Sequence, residues 1–182
     1  MVSSTFLAVS SLLAFILSLF FFNGVVPMHA SFPNSVPSTI CKKTRNPSFC
    51  FNVLKSAGTT DLKGLATFTL NLAHNKATKT HALAQSLASK AADRKLKERY
   101  ATCAKHYDNA ADDIEDAKHN LRKGYYNGVN IQAFGAMTEV GDCMDNFTQP
   151  PKNPSVLSNN EKVVEDMCSI ILVISNLLLG RS

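Results

Sequence analysis

The chain has 182 residues, of which 45% are hydrophobic, and this length gives one domain room for a sizeable core. Its net charge at neutral pH is +5, but the basic residues are scattered, which argues against a nucleic-acid-binding surface. The mild positive charge favours retention in an anionic matrix or serves solubility alone.

The N-terminus, residues 1–30, contains no Asp, Glu, Lys or Arg, and Phe6–Phe22 is almost wholly apolar. Such a run is typical of a secretory signal peptide, and we expect cleavage between residues 24 and 30. An uncleaved membrane anchor is the alternative, because about 18 apolar residues nearly span a bilayer. Pro27 and Pro33 end the run and no stop-transfer charges follow. These features favour cleavage, secretion to the extracellular space and no membrane contact afterwards.

The mature chain is predicted to consist of a short N-terminal extension, residues 31–58, followed by a helical domain, residues 59–182. The first helix of that domain is expected from Asp61 to about Ser89, with Thr59, Thr60 or Asp61 as its N-cap. Large apolar side chains are expected on its core face: Leu62, Leu65, Phe68, Leu72, Leu83 and Leu87.

The second helix, Arg94–Lys123, has the clearest pattern in the chain. Apolar or small residues recur in alternating steps of four and three over its whole length: Leu96, Tyr100, Cys103, Tyr107, Ala110, Ile114, Ala117 and Leu121. Charged residues occupy the opposite face, and Gly124 is expected to end the helix.

A third helix is predicted from about Val129 to Phe147 and a fourth from Asn159 to Leu179, with a proline-containing loop between them. The third is expected to bury Ile131, Phe134, Met137, Val140 and Met144. The fourth is expected to bury Val163, Met167, Ile170, Ile171, Ile174 and Leu178. Ser158 is its expected N-cap, with Glu161 completing a capping box.

Four amphipathic helices without strand alternation predict an all-α protein, most simply an up-down four-helix bundle. In an oxidising compartment its cysteines are expected to form disulfides. Cys103 and Cys143 lie on inward stripes of consecutive helices, where a bridge is worth about 3–4 kcal/mol. Cys41 and Cys50 could fasten the extension, which leaves Cys168 as a buried, unreactive thiol. Sequence alone leaves the connectivity open.

The sequence carries no catalytic signature, since it has no nucleophile elbow, phosphate-binding glycine loop or His–Glu metal pair. We therefore expect no enzymatic activity, no metal and no cofactor. His74 and His81 are about 10 Å apart along their helix, too far for one metal, and the histidines are interpreted as exposed helix residues. A cluster of acids is interpreted as a solvated helix face: Asp108, Asp112, Asp113, Glu115 and Asp116.

One N-glycosylation acceptor is usable, Asn146 in Asn146–Thr148. Its occupancy depends on whether the end of the third helix is exposed. Proline blocks the two other acceptor-like triplets, which begin at Asn46 and Asn153.

The segments Ile40–Cys50, Cys103–Phe147 and Met167–Leu178 carry a set of motifs that are specific in combination. Together they resemble the plant invertase and pectin methylesterase inhibitor family over residues 38–180. The resemblance implies an inhibitor: a four-helix bundle with an N-terminal helical hairpin extension and two disulfides. The resemblance also implies disulfides between Cys41 and Cys50 and between Cys103 and Cys143, with Cys168 unpaired.

The family has two branches with different target enzymes. Invertase inhibitors typically carry a Pro-Lys-Phe motif before the third bundle helix, where this chain has Gly124–Gly128. By contrast, Thr44–Pro47, Asp61–Leu65 and Leu172–Asn176 resemble the pectin methylesterase inhibitor branch. We therefore expect pectin methylesterase as the protein partner. Inhibition of acid invertase is the alternative, and a non-inhibitory pectin-binding or wall-binding bundle is a second one.

The resemblance also implies how such a protein acts in the cell wall. One monomer covers the pectin-binding cleft of one enzyme molecule in a reversible complex. Asp112 and Asp145 match positions where acidic contacts are expected, and Asp142 is a further candidate. Lys105 and Asn109 stand where the family pattern has acids, so they are expected to affect affinity or target choice.

Overall fold

The computed structural model describes residues 35–151 and 157–181, and these contain six α-helices and no strand. The helices are α1 Val36–Cys41, α2 Pro47–Lys55, α3 Leu62–Lys90, α4 Arg94–Arg122, α5 Tyr126–Asp145 and α6 Leu157–Leu178. The predicted signal peptide lies outside the described residues. Within them, no helix combines the length and apolar character needed to cross a bilayer.

The four long helices form the predicted bundle. Each packs against the next along the chain, and α6 closes the ring by packing against α3. The two short helices, α1 and α2, pack against each other and against α6. The all-α fold and its N-terminal helical hairpin are therefore confirmed.

Side-chain caps explain where the helices begin. Asp61 accepts a hydrogen bond from the Gly64 amide at 2.8 Å and so caps α3 as predicted. The expected N-cap at Ser158 is wrong, because α6 already includes Leu157. Two residues more than predicted, Leu157 and Ser158, are helical, and the Leu157 side chain is completely buried in the core.

Gly124 ends α4 by adopting a left-handed conformation, with φ of 73°. The Gly124 amide donates to the Leu121 carbonyl, and the Tyr125 amide donates to the Asn120 carbonyl at 2.9 Å. This is a Schellman motif, which satisfies carbonyls at the helix end and favours glycine at that position. The chain can therefore turn directly from α4 into α5.

The core face of α4 is confirmed, whereas those of α3 and α5 are only partly as predicted: Leu65 and Val140 are completely buried, but most of the other expected side chains are not. On α3 the buried residues are Leu65, Ala66, Thr69, Leu70, Ala73, Ala77, Thr80 and Ala84. On α5 the buried positions include Val129, Ala133, Ala136, Val140 and Cys143, while Ile131 and Phe134 are each 58% exposed. Small residues occupy the helix contacts because they let the helices approach closely. Of the larger apolar residues of α3, Leu65 and Leu70 are completely buried. The others that pack against the core are only partly buried: Leu62, Leu72, Leu83 and Leu87.

Two disulfides connect neighbouring helices. Cys41 is bonded to Cys50, which joins α1 to α2, with the two Cα atoms 5.4 Å apart. Cys103 is bonded to Cys143, which joins α4 to α5 with a Cα separation of 4.5 Å. These are the pairs that the family resemblance implies. Cys168 is unbonded and buried, and burial raises the pKa of its thiol to about 12, so it is unreactive near neutral pH.

The N-terminal hairpin is fixed to α6 by the turn between α1 and α2. The Arg45 guanidinium lies 3.0 Å from Glu165, and the Arg45 amide donates to the Ser169 hydroxyl. The Asn46 side chain donates to Asp166 at 2.9 Å and also caps α2 by accepting from the Phe49 amide. The Thr44–Pro47 segment thus has a structural role, since it joins the two ends of the domain.

Candidate functional site

An exposed stripe runs along α4 beside its contact with α5. It consists of Lys105, Asn109, Asp112 and Asp116, which are spaced four, three and four residues apart and so share one side of the helix. Asn109 is half-buried, and the other three side chains are exposed.

A second stripe follows the outward side of α5. Five exposed residues recur there at steps of three, four, four and three: Ile131, Phe134, Thr138, Asp142 and Asp145. Because α4 and α5 are consecutive antiparallel helices, the two stripes lie side by side. We call this combined surface the α4–α5 face.

The α4–α5 face brings together all five side chains that the sequence suggested as target contacts. Lys105, Asn109 and Asp112 come from α4, and Asp142 and Asp145 come from α5. The Cys103–Cys143 disulfide joins the two helices beside Lys105 and Asp142. Apart from Lys105, the charged residues of the two stripes are acidic, on a chain whose net charge is +5. This concentration of negative charge suits a partner surface with basic side chains.

Polar side chains fill the junction between the two stripes. His106 Nδ1 lies 2.7 Å from Glu139 Oε2, and the Asn109 amide donates to the same oxygen at 3.2 Å. The interpretation of the histidines as exposed is wrong for His106, which is 23% exposed, and for His81, which is 22% exposed. The contact between His106 and Glu139 depends on the register of α4 against α5, so no local sequence pattern signalled it.

Asp113 also points into this junction rather than into solvent, which corrects its assignment to a solvated face. A side-chain carbon at Gly135 would lie 2.8 Å from the Asp113 carboxylate, so the glycine makes room for it. Burial, together with the nearby negative charges of Glu139, Asp116 and Asp112, raises the pKa of Asp113 to about 6.

Replacing Asp113 with asparagine should stabilise the protein at neutral pH. Because its folded-state pKa is raised, this carboxyl favours folding at acidic pH and loses that contribution as the pH rises through about 6. The site is partly open to solvent, so we expect Asp113→Asn to add about 1 kcal/mol near pH 7.5 after allowance for screening, and little near pH 3.5. Urea unfolding followed by circular dichroism at both pH values measures this difference.

Asp142→Asn is the matched control, because Asp142 is exposed and should show no such gain at either pH. An equal effect of Asp113→Asn at both pH values would contradict the assignment.

Comparison with known proteins identifies the group to which this fold and its motifs belong. The family model "Plant invertase/pectin methylesterase inhibitor" matches residues 35–174. The chain belongs to this family. The match covers the hairpin, both disulfides and most of the bundle, which confirms the resemblance seen in the sequence.

Named relatives in this family are similar over most of their length. The pectinesterase inhibitor of Actinidia deliciosa is 44% identical over 150 residues, which is 81% of each chain. Pectinesterase inhibitor 1 of Arabidopsis thaliana is 34% identical over 91% of this chain and 94% of its own. A crystal structure of a mutant form of a pectin methylesterase inhibitor from Arabidopsis superimposes with a TM-score of 0.74 at 34% identity. That superposition covers 79% of this chain and 97% of the other.

Asn146, the glycosylation candidate, lies beside the α4–α5 face of this family member. It follows the last residue of α5, and its side-chain amide donates to the Asp142 carbonyl at 2.8 Å. The nitrogen that would carry a sugar therefore already contributes to the helix end. Glycosylation of Asn146 stays a prediction. A glycan there would lie next to Asp142 and Asp145 and would change what the α4–α5 face presents to a partner.

The described residues contain no group of three or more His, Cys, Asp or Glu side chains that could hold a metal ion. Two surface depressions lie elsewhere in the fold, one between Lys43 and α6 and one between Pro37 and Thr60. The α4–α5 face presents side chains from two adjoining helices, which suits contact with another protein surface.

Proposed function

We propose that this protein is a secreted inhibitor of pectin methylesterase, and that the α4–α5 face covers the enzyme's pectin-binding cleft. Family membership and the relatives named pectinesterase inhibitors support the target. The observation that carries the proposal is the meeting of five candidate contact side chains on one acidic surface. Such a surface can shield an enzyme cleft without performing any chemistry of its own.

In this proposal, residues 1–30 direct the chain to the extracellular space and are removed. Residues 31–58 form the hairpin extension, and residues 59–182 form the inhibitory bundle. A monomer binds one enzyme molecule reversibly in the cell wall and thereby limits pectin demethylesterification. Gly124–Gly128, at the start of α5, lacks the Pro-Lys-Phe motif that the invertase-inhibiting branch carries, which supports the choice of target.

Paired titrations test the target. The mature protein is added in increasing amounts to a plant pectin methylesterase and, separately, to a plant acid invertase at mildly acidic pH. Loss of the esterase activity alone, with an end point at one inhibitor per enzyme, is the expected result. Loss of the invertase activity alone would assign the protein to the other branch. Activity that never falls in either assay, together with retention on pectin, would favour a wall-binding module.

A separate prediction concerns the contribution of the acidic side chains to binding. Replacing Asp112 and Asp145 together with asparagine should weaken binding to the enzyme about 3- to 10-fold, because exposed charges each contribute less than about 1 kcal/mol. Lys105→Glu should act in the opposite direction, because it restores an acid where the family pattern has one. The apparent inhibition constant measures both effects.

Asp108→Asn is the matched control for this pair. Asp108 is exposed on the same helix, but it lies 3.6 Å from His81 of α3 and so faces away from α5. The role assigned to the α4–α5 face would be wrong if Asp108→Asn weakened binding as much as the double variant did.

A further inference from the structure

Two large apolar side chains on the α4–α5 face have no core to pack into. Ile131 and Phe134 are each 58% exposed and lie one turn apart on the outward side of α5. Among the described residues, the other exposed large hydrophobic side chains are Val36 and Tyr125. Ile131 and Phe134 are therefore an apolar patch that the fold itself does not use.

The surroundings of the patch make Phe134 prominent. Gly135 has no side chain, and Thr138 is small and hydrogen-bonds the Phe134 carbonyl of its own helix. The neighbouring stripe of α4 supplies acids, among them Asp112 and Asp116. An aromatic side chain bordered by polar groups is the usual arrangement at the centre of a protein–protein contact.

We infer that Ile131 and Phe134 form the apolar anchor of the contact with the target enzyme. This inference rests on the proposed function and extends it. The patch continues the same α5 stripe as Asp142 and Asp145, and Phe134 is about 16 Å from Asp145 along the helix. The partner surface that fits has an apolar depression for the phenyl ring with Lys or Arg side chains beside it.

A second copy of this chain fits the patch less well than the enzyme does. Pairing two copies through this patch would bring two acidic stripes together, and Asp112 and Asp116 would face like charges. A basic partner would instead gain both the burial of the ring and the attraction of the acids. The acidic side chains around the anchor therefore favour a basic partner protein over a second copy of this chain.

Alanine substitution with a matched control tests the anchor. Phe134→Ala should weaken binding of the mature protein to a plant pectin methylesterase about 10- to 30-fold, and Ile131→Ala about 3- to 5-fold. Most of the change should appear as faster dissociation in a surface-based binding assay. Val36→Ala is the control, because Val36 is an exposed aliphatic residue on α1 and should leave binding unchanged.

The dependence of binding on ionic strength distinguishes the contribution of this anchor from that of the acidic contacts. The loss caused by Phe134→Ala should persist at high ionic strength, whereas the loss caused by neutralising Asp112 and Asp145 should shrink. Circular dichroism of each variant checks that the bundle is intact, since both apolar side chains lie outside the core.

The outcomes distinguish failure of the anchor from failure of the proposed function. If the wild-type protein inhibits the enzyme and Phe134→Ala binds equally well, the anchor is wrong while the proposed function stands. If the wild-type protein binds no pectin methylesterase, both fail. Concentration-dependent dimerisation that Phe134→Ala abolishes would assign the patch to self-association and overturn the inference.

Discussion

Replacing both Cys103 and Cys143 with alanine should lower the free energy of unfolding by about 4 kcal/mol. The bridge joins residues 40 apart in sequence, and restricting the unfolded chain over such a loop contributes about that amount. Both cysteines are completely buried, so the removed sulfur atoms are also lost from the core. Guanidinium unfolding followed by circular dichroism measures the change.

The second disulfide provides an internal comparison. Cys41 and Cys50 are only 9 residues apart, so replacing both with alanine should cost about 2.5 kcal/mol by the same reasoning. A larger loss from the Cys41–Cys50 pair than from Cys103–Cys143 would contradict the loop-length account. The Cys103–Cys143 variant should also inhibit less well, because its bridge holds together the two helices of the α4–α5 face.

The other large effect is expected at the closely packed contacts of α3. Ala77 is completely buried on α3, the helix that packs against both α4 and α6. Ala77→Leu adds three carbon atoms where the helices approach closely, and we expect it to lower the free energy of unfolding by about 3 kcal/mol. Thermal unfolding of the folded variant, compared with the wild type, measures this loss.

Ala82→Leu is the control on the same helix. Ala82 is exposed, so the larger side chain should change stability by less than about 0.5 kcal/mol. Equal destabilisation by the two substitutions would show that helix propensity, and not close packing at Ala77, determines the result.

The difference between α4 and its neighbours shows what the sequence could predict. On α4 the large and small residues of one stripe alternate regularly, and Tyr107 and Ile114 are both completely buried as expected. On α3 and α5 the expectation followed the largest apolar side chains, but alanines at positions such as Ala77 and Ala133 form the contacts. A small residue is a weak hydrophobic signal even where close packing requires it.

The candidate site, like the helix core faces, could be predicted only in part. Family resemblance supplied Asp112 and Asp145, and helical spacing explains why they share a face. The contact of His106 with Glu139 and the inward position of Asp113 were missed, because both depend on how α4 and α5 are aligned. The exposure of Phe134 was missed because the expectation for α5 followed its largest apolar side chains, although the burial of Val140 was predicted correctly.

The attachment of the N-terminal hairpin to α6 has a consequence for biosynthesis. Asn46 and its partner Asp166 are 120 residues apart, and a ribosome adds about 5–20 residues per second. The hairpin therefore waits roughly 6 to 24 s before its binding site on α6 has been made. The Cys41–Cys50 bridge can close during that interval, but docking must follow synthesis of the last helix. A nascent chain cut short before α6 would release a hairpin that lacks the partners of Arg45 and Asn46.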